Sequence, residues 1–411
     1  MFVLHVLAEV GYSGGEFQLE QLIRHLQIEG HRNHVVVPPD ARFIEICERL
    51  DVPVDELPIR RPWQTLAVPK LRRLIRRLRP DVVHFGCGRS TLWGGLAALG
   101  ADGAVKVCTR RIDYPIARTP VGAGRYRHLV DHVVANCGAV RRRLLEAGVS
   151  AERISLIYEG IDSSKFDGVE EDRAASRRTL GIADNAVVLS CAATLRPRKG
   201  QRILIEAFSR LVDEFPNAVL VLAGEGDDRR CLLKQVTSLG LQRRILLPGT
   251  VHPARSLHAA SDIAVMASFA EGLSNACLEA GAAGLPLIVS SVGGLPEIVR
   301  DGETGFVVEP GDVDAFTDRI RTLLSDVELR RRLGAAGRRR VEQKFQVDRM
   351  ADEMEHLFLR LIDEKLRSLS SPDRSSAGEV AEGRSEVRSE AAENTVDESR
   401  ATITSRASST D

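Results

Sequence analysis

The chain has 411 residues, 43% of them hydrophobic and 28% charged, enough for two ordinary soluble domains with a sizeable buried core. Lys+Arg and Asp+Glu balance at 57 each, so overall charge gives no sign of a nucleic-acid partner; the basic excess is local, with 23 basic against 17 acidic side chains in residues 1–160. No run reaches the roughly 18 apolar residues of a membrane span, and the apolar start MFVLHVLAEV has no basic leader, so neither a span nor secretion is expected.

Short apolar runs alternate with longer helical patterns from the first residues onward. FVLHVLAEV, HVVVPP, DVVHFG, AVKVCT and HVVANC read as strands of a parallel sheet covered on both faces. After the first of them, SGGE (Ser13 to Glu16) precedes the helical pattern FQLEQLIRHL. Gly14 and Gly15 would let a ligand approach the backbone at a helix start, and a tight strand-to-helix turn explains the pair equally well.

PKLRRLIRRLRPD puts Leu71, Leu74, Ile75 and Leu78 at helical spacing, with Lys70, Arg72, Arg73, Arg76 and Arg77 elsewhere, the pattern of a basic amphipathic helix. Such a face is either solvated or a peripheral contact with an anionic membrane, where each basic residue contributes about 1 kcal/mol. His84 ends the strand DVVHFG, a place where histidines are more often structural. CTRRIDYPI sets Arg110 and Arg111 after another strand. Arg111 either reaches a ligand or pairs with Asp113.

The rhythm pauses over the polar, turn-rich residues 158–182, read as an interdomain linker, and then a second set of strands begins: AVVLSCAA, AVLVLAG, RILLPG, DIAVMAS, PLIVSS and GFVVEP. Two facing Rossmann-like α/β domains would bind a ligand in the crevice at the carboxyl ends of their strands. TLRPRKG gathers Thr194, Arg196, Arg198 and Lys199 at such an end, a candidate phosphate clamp. In EGLSNACLEAGAAGLP, Ser274 or Asn275 can cap a helix that stops at Gly284 and Pro286, leaving Glu271 before the helix and Glu279 within it. The amides of Ser274, Asn275 and Ala276 form an anion site, so the stretch suggests a phosphate held between two carboxylates. In SVGGLPE, the amides of Gly294 and Leu295 are weaker candidates for an anion or sugar hydroxyls.

Seven cysteines are scattered singly without metal spacing and read as reduced core thiols of a cytoplasmic protein. Met350, Met354, Leu357, Leu361 and Leu366 mark a last amphipathic helix. From about residue 367 the composition is that of a disordered tail.

In order, SGGE, TLRPRKG, AGEGDD, PGTV and SFAEGLSNACLEAGAAGLPLIVSSVGGLPEIVRDGETGFVVEPGD resemble the signature of family 4 glycosyltransferases, the retaining, nucleotide-sugar-dependent GT-B enzymes also called group 1 glycosyl transferases. The resemblance implies an N-terminal acceptor-side domain (1–165), a linker (166–182), a nucleotide-sugar-binding domain (183–345), a helix packing back on the first domain (346–366) and the tail (367–411). It implies that Glu271 faces the donor sugar, that Lys199 neutralises the donor phosphates as they depart, that Glu279 bonds the ribose, and that the base is read by backbone near Gly249 to Val251. No metal or other cofactor is expected, and the acceptor would be a glycan or a lipid-linked sugar of cell-envelope polysaccharide or lipopolysaccharide synthesis, reached from the inner face of the membrane.

Three positions depart from the family pattern. The usual phosphate-binding arginine is Thr194 here, with Arg196 or Arg198 as substitutes; Arg110 and Arg111 replace a histidine; and Tyr158, Glu159 and Gly160 replace Pro-Asn-Gly. These leave open a degenerate scaffold that binds nucleotide or a partner without turnover, and a sugar-nucleotide epimerase is a further alternative on this fold.

Overall fold

The structure, a computed structural model, describes residues 1–59, 66–101 and 103–370. Among them, β1 (Phe2–Val6), β2 (Arg32–Val37), β3 (Val54–Glu56), β4 (Val82–Phe85), β5 (Val105–Arg110), β6 (His132–Ala135) and β7 (Ile154–Leu156) form one parallel sheet in the order β3-β2-β1-β4-β5-β6-β7. A second parallel sheet runs β10-β9-β8-β11-β12-β13, built from β8 (Val187–Ala192), β9 (Ala218–Ala223), β10 (Ile245–Gly249), β11 (Ile263–Met266), β12 (Leu287–Ser290) and β13 (Gly305–Val308). Two α/β domains result, and the chain has the doubly wound architecture that its alternating pattern predicts.

The central strands are apolar on both faces because helices cover both: β4 and β6 are buried at every position, and so is β11. The strands that the pattern misses, β3 and β7, are three-residue edge strands with polar or exposed positions. Strand order reverses between β1 and β4 and again between β8 and β11, where Val3 pairs with Val82 and Ile263 with Leu189. Loops leaving the carboxyl ends of β1, β4, β8 and β11 therefore flank two switch points, the places where open parallel sheets bind ligands.

The segment read as the interdomain linker carries regular structure of its own. It contains the helix Arg173–Leu180, whose Arg177 is 1% exposed and donates to Asp262 at 2.9 Å, while Arg173 donates to the other oxygen at 2.5 Å. Near Gly160 this segment meets the chain leaving the second domain: Ile161 N donates to Phe345 O at 2.9 Å and Val347 N to Ile161 O at 3.1 Å. A Cβ at Gly160 would lie 2.3 Å from Gln346 O, so only glycine allows the two connections to touch.

The last helix, Val347–Ser370, buries Met350, Met354, Leu357, Phe358 and Leu361 in one cluster with Leu19, Ile23 and Leu26 of the helix Gly14–Ile28 and with Val3 and Val35 of the first sheet. Each such side chain contributes about 1.5–3 kcal/mol. Its Glu355 adds bonds of 2.8 Å to both His25 and His31. The chain divides after Lys365 into a unit holding both sheets and a following one. The helix runs through Ser370, four residues past the expected boundary, and Leu366 is exposed. The expected tail from 371 onward lies outside the described residues.

The helix Ala67–Leu78 buries Leu71, Leu74 and Ile75. Lys70, Arg73, Arg76 and Arg77 are exposed. Arg72 does not share that face: it donates to the carbonyls of Leu96 and Ala97 at 2.8 and 3.2 Å, a packing role. No helix among the described residues is long and apolar enough to cross a membrane.

Candidate functional site

A cavity of about 390 Å³ lies between the two domains, walled by loops after β1, β4 and β5 on one side and after β8 and β11 on the other. Three helix starts open onto it, Gly14–Ile28, Gly88–Ala97 and Asn275–Ala282. Their unpaired amides and dipoles make its field positive before any side chain is counted. The Gly86–Gly88 start was missed from the sequence, although its G-C-G after a strand is the same kind of signal as Gly14 and Gly15.

Lys199 and Glu271 meet here as an ion pair, both mostly buried, and Ser268 Oγ donates to the same Glu271 oxygen at 2.8 Å. Lys199 ends a turn of 3-10 helix, Pro197–Lys199, after β8; Glu271 comes from the loop after β11. Of the two arginines in that turn region, Arg198 lines the cavity and donates to Ala270 O at 3.3 Å, whereas Arg196 is exposed and does not line it. Thr194 also lines the cavity, with its carbonyl accepting from Gln201 at 3.0 Å.

Gly14 and Gly15 face residues from both domains. A Cβ at Gly14 would lie 3.0 Å from Asn275 Nδ2, and one at Gly15 would lie 3.4 Å from Arg111 Cδ. Asn275 Nδ2 donates to Gly14 O at 3.3 Å, and Gln18 Nε2 donates both to Asn275 Oδ1 at 3.1 Å and to Gly160 O at 2.7 Å. Ser274 holds the N-cap position of the 275–282 helix without a side-chain capping bond, and Ser274 to Ala276 line the cavity, so the start of the Glu-x(7)-Glu helix lies against the Gly14–Gly15 turn.

Arg111 does not pair with Asp113. Its Nε donates to Glu159 at 2.5 Å and its Nη1 to Gly86 O at 2.7 Å, while Asp113 is taken by Arg143 at 2.8 Å. Glu159 is 5% exposed and also accepts from Asn136 Nδ2 at 3.0 Å. Burial pushes its carboxyl up, against the opposing pull of Arg111 and Asn136. Arg110 is structural, donating to Tyr126 Oη at 2.9 Å and Tyr114 O at 2.7 Å.

Glu279 lies one helical turn beyond Asn275, about 6 Å along the axis. It lines a neighbouring cavity of about 360 Å³ with Phe17, Ile161, Phe166, Pro253 and Arg255, with His258 Nε2 at 3.8 Å. Val251 lines neither cavity; its side chain packs with Ile182, Val188 and Leu257. Gly294 and Leu295 do not offer free amides. They donate to Gly272 O at 2.8 Å and Val292 O at 3.1 Å, because this turn holds the loop after β11 in place.

His84 is a core residue with no exposure. Its Nε2 lies 2.8 Å from Thr109 Oγ1, its Nδ1 3.1 Å from His5 Nδ1, and His5 Nε2 lies 3.1 Å from Asn33 Oδ1. These contacts form one consistent chain if Thr109 donates to His84, His84 to His5 and His5 to Asn33, with both rings neutral. Burial lowers both pKa values, that of His5 to about 4.

Residues 172–340 match the family Glycosyl transferases group 1, and residues 12–165 match Glycosyltransferase Family 4. The chain is 31% identical over 291 residues to a GDP-mannose-dependent alpha-(1-6)-phosphatidylinositol monomannoside mannosyltransferase of Mycolicibacterium smegmatis, covering 67% of this chain and 75% of that protein. It is 31% identical over 283 residues to the lipopolysaccharide core biosynthesis glycosyltransferase LpsE of Rhizobium meliloti, covering 69% and 77%. The crystal structure of Anabaena Alr3699/HepE in complex with UDP-glucose superposes with a TM-score of 0.75 at 24% identity, over 90% of this chain and 100% of that one, and so shares the fold. With its two parallel-sheet domains and the cleft between them, the chain belongs to the group 1 glycosyl transferases of the GT-B fold.

Proposed function

We propose that the protein is a retaining glycosyltransferase that moves a sugar from a nucleotide-sugar donor to a glycan or lipid-linked acceptor of the cell envelope. The observation that carries this reading is the line of groups along one helix. Glu271 precedes the helix, the Ser274 to Ala276 amides open its first turn, and Glu279 follows one turn later against a second cavity. A donor laid along this line places its sugar by Glu271, its diphosphate at the helix start beside Lys199 and Arg198, and its ribose by Glu279. The relatives named for GDP-mannose and lipopolysaccharide core, and the neighbour bound to UDP-glucose, support a nucleotide-sugar donor and an envelope acceptor.

In this reading the bond from the anomeric carbon to the departing phosphate breaks while one to the acceptor oxygen forms on the same face, and the acceptor's proton passes to the phosphate oxygen. Charge grows on the diphosphate as it leaves. Lys199, Arg198 and the helix start stabilise that charge without a metal ion. Lys199 is held by Glu271, which fixes the direction of its ammonium group toward the cleft loops. Donor and acceptor incubated together, with the anomeric configuration of the product read by NMR, test the reading; an inverted product rejects retention.

The exposed cations Lys70, Arg73, Arg76 and Arg77, beside Leu66 at 79% exposure, support contact with an anionic membrane surface through the Ala67–Leu78 helix. Equal flotation with neutral and anionic vesicles would reject it.

A further inference from the structure

Arg111 is fixed at two of its three nitrogens. Nε donates to Glu159 at 2.5 Å and Nη1 to Gly86 O at 2.7 Å, which leaves Nη2 without a partner among the described residues in a side chain that lines the cleft. The same side chain lies against Gly15, whose would-be Cβ is 3.4 Å from Arg111 Cδ and 3.8 Å from Nε. An anion that accepts from the first amides of the Gly14–Ile28 helix therefore sits beside the Arg111 guanidinium. Gly14, the preceding residue, touches Asn275 at the start of the other helix. Two adjacent glycines thus bring Arg111 and the Ser274 to Ala276 amides to one place.

Glu159 is the residue that sets this arrangement. It belongs to the connection between the domains, is 5% exposed, and receives Asn136 on its second oxygen at 3.0 Å. We infer that Glu159 is a positioning residue that presents the Arg111 guanidinium to a phosphate group of the nucleotide donor, making Arg111 part of the phosphate site beside Arg198 and Lys199. The inference rests on the donor reading above and adds to it the phosphate as the group Arg111 meets and Glu159 as what aims it. A buried carboxylate beside an anion site is costly on charge alone, so its value lies in geometry.

Charge and geometry predict opposite signs, which makes the test sharp. Glu159→Ala removes a negative charge near the phosphate, so charge alone would tighten diphosphate binding; loss of aim weakens it. Glu159→Gln keeps the acceptor for Arg111 Nε. Asn136 Oδ1 is buried with no partner, so a flip of that amide lets it accept from the new Gln Nε2; one Asn136 amide atom is then without a partner, as it is in the parent, so the exchange adds no orphaned group there.

Calorimetry on the full chain would compare UDP with UMP, GDP with GMP and ADP with AMP, using the base that binds best. Glu159→Ala and Arg111→Ala should each weaken the diphosphate about 10-fold or more and the monophosphate less than about 3-fold, on the scale of a charge-assisted hydrogen bond. Glu159→Gln should stay within about 3-fold of the parent, and Glu159→Ala/Arg111→Ala should be no weaker than Arg111→Ala, since both act through one guanidinium. Tighter diphosphate binding in Glu159→Ala, parallel loss of the monophosphate, or multiplying effects in the double variant would overturn the positioning role. Failure of the parent chain to bind any of the nucleotides would instead remove the donor reading itself, and this inference with it.

Discussion

Lys199 Nζ and Glu271 Oε1 form an ion pair across the cleft loops of β8 and β11, with Ser268 Oγ on the same carboxylate oxygen at 2.8 Å. The pair joins two strands on opposite sides of one switch point, so each charge is held by the fold. Lys199→Ala removes the cation and leaves Glu271 buried without it. Loss of one such group at a site of developing charge costs about 100- to 1000-fold in kcat. Turnover of Lys199→Ala is expected to fall by that factor with a smaller change in KM, and an unchanged kcat would contradict the role given to Lys199.

In the proposed donor site, Arg198, Lys199 and helix amides supply the positive charge that meets the phosphates. Transfer activity is therefore expected to survive excess EDTA within about 2-fold, since these groups supply the positive charge that a divalent ion would otherwise bring. Activity abolished by the chelator and restored by added Mg²⁺ or Mn²⁺ would reject a metal-independent mechanism.

Much of this site is legible in the sequence where function and local structure use the same residues. Glycine pairs after strands, a cap before a short helix, and a basic turn at a strand end all have physical signatures, and Gly14, Gly15, Lys199, Glu271 and Ser274 lie together as their positions in the alternating pattern predict. What is not legible depends on which long-range partner wins. Arg111 faces two acids, Asp113 two residues away and Glu159 in the domain connection; the fold gives Asp113 to Arg143 and Glu159 to Arg111. Gly294 and Leu295 look like a second anion turn, yet their amides are spent on Gly272 and Val292. The helix Arg173–Leu180 was hidden because its most buried residue is an arginine, paired with an aspartate about 85 positions away.

The two domains are also joined through Glu297. Glu297, after β12, accepts from Gly138 N at 2.8 Å and from Tyr158 Oη at 2.7 Å, capping the helix Gly138–Glu146 of the first domain. Glu297→Ala removes this cap and is expected to lower stability by about 1–2 kcal/mol, the usual range for a lost cap. Urea unfolding checks this as a lower midpoint at constant slope; an unchanged midpoint would show that the contact contributes nothing.

Acid stability should reflect the buried histidines. Folded His5 titrates at about 4 instead of near 6.5, and His84 is lowered in the same direction, because burial disfavours the cation. The unfolded chain therefore binds more protons below pH 6.5. Stability is at its full value above that pH and falls as pH drops toward 4. Each such histidine contributes a slope of about 1.4 kcal/mol per pH unit. Unfolding free energies measured from pH 6.5 to 5, where most carboxylates stay ionised, should decrease by at least that slope. A flat profile would mean that these rings are hydrated or charged in the native state.

In the proposed reading, the Glu271 to Glu279 helix seats a nucleotide-sugar donor. A thermal-shift panel of UDP, GDP, ADP and their sugar conjugates tests it most directly, since a ligand bound only to the folded state raises its melting temperature by mass action. A clear rise is expected with one nucleoside diphosphate and its conjugates, lost in Glu279→Ala. No rise with any of them, or a rise that Glu279→Ala leaves intact, would contradict that reading.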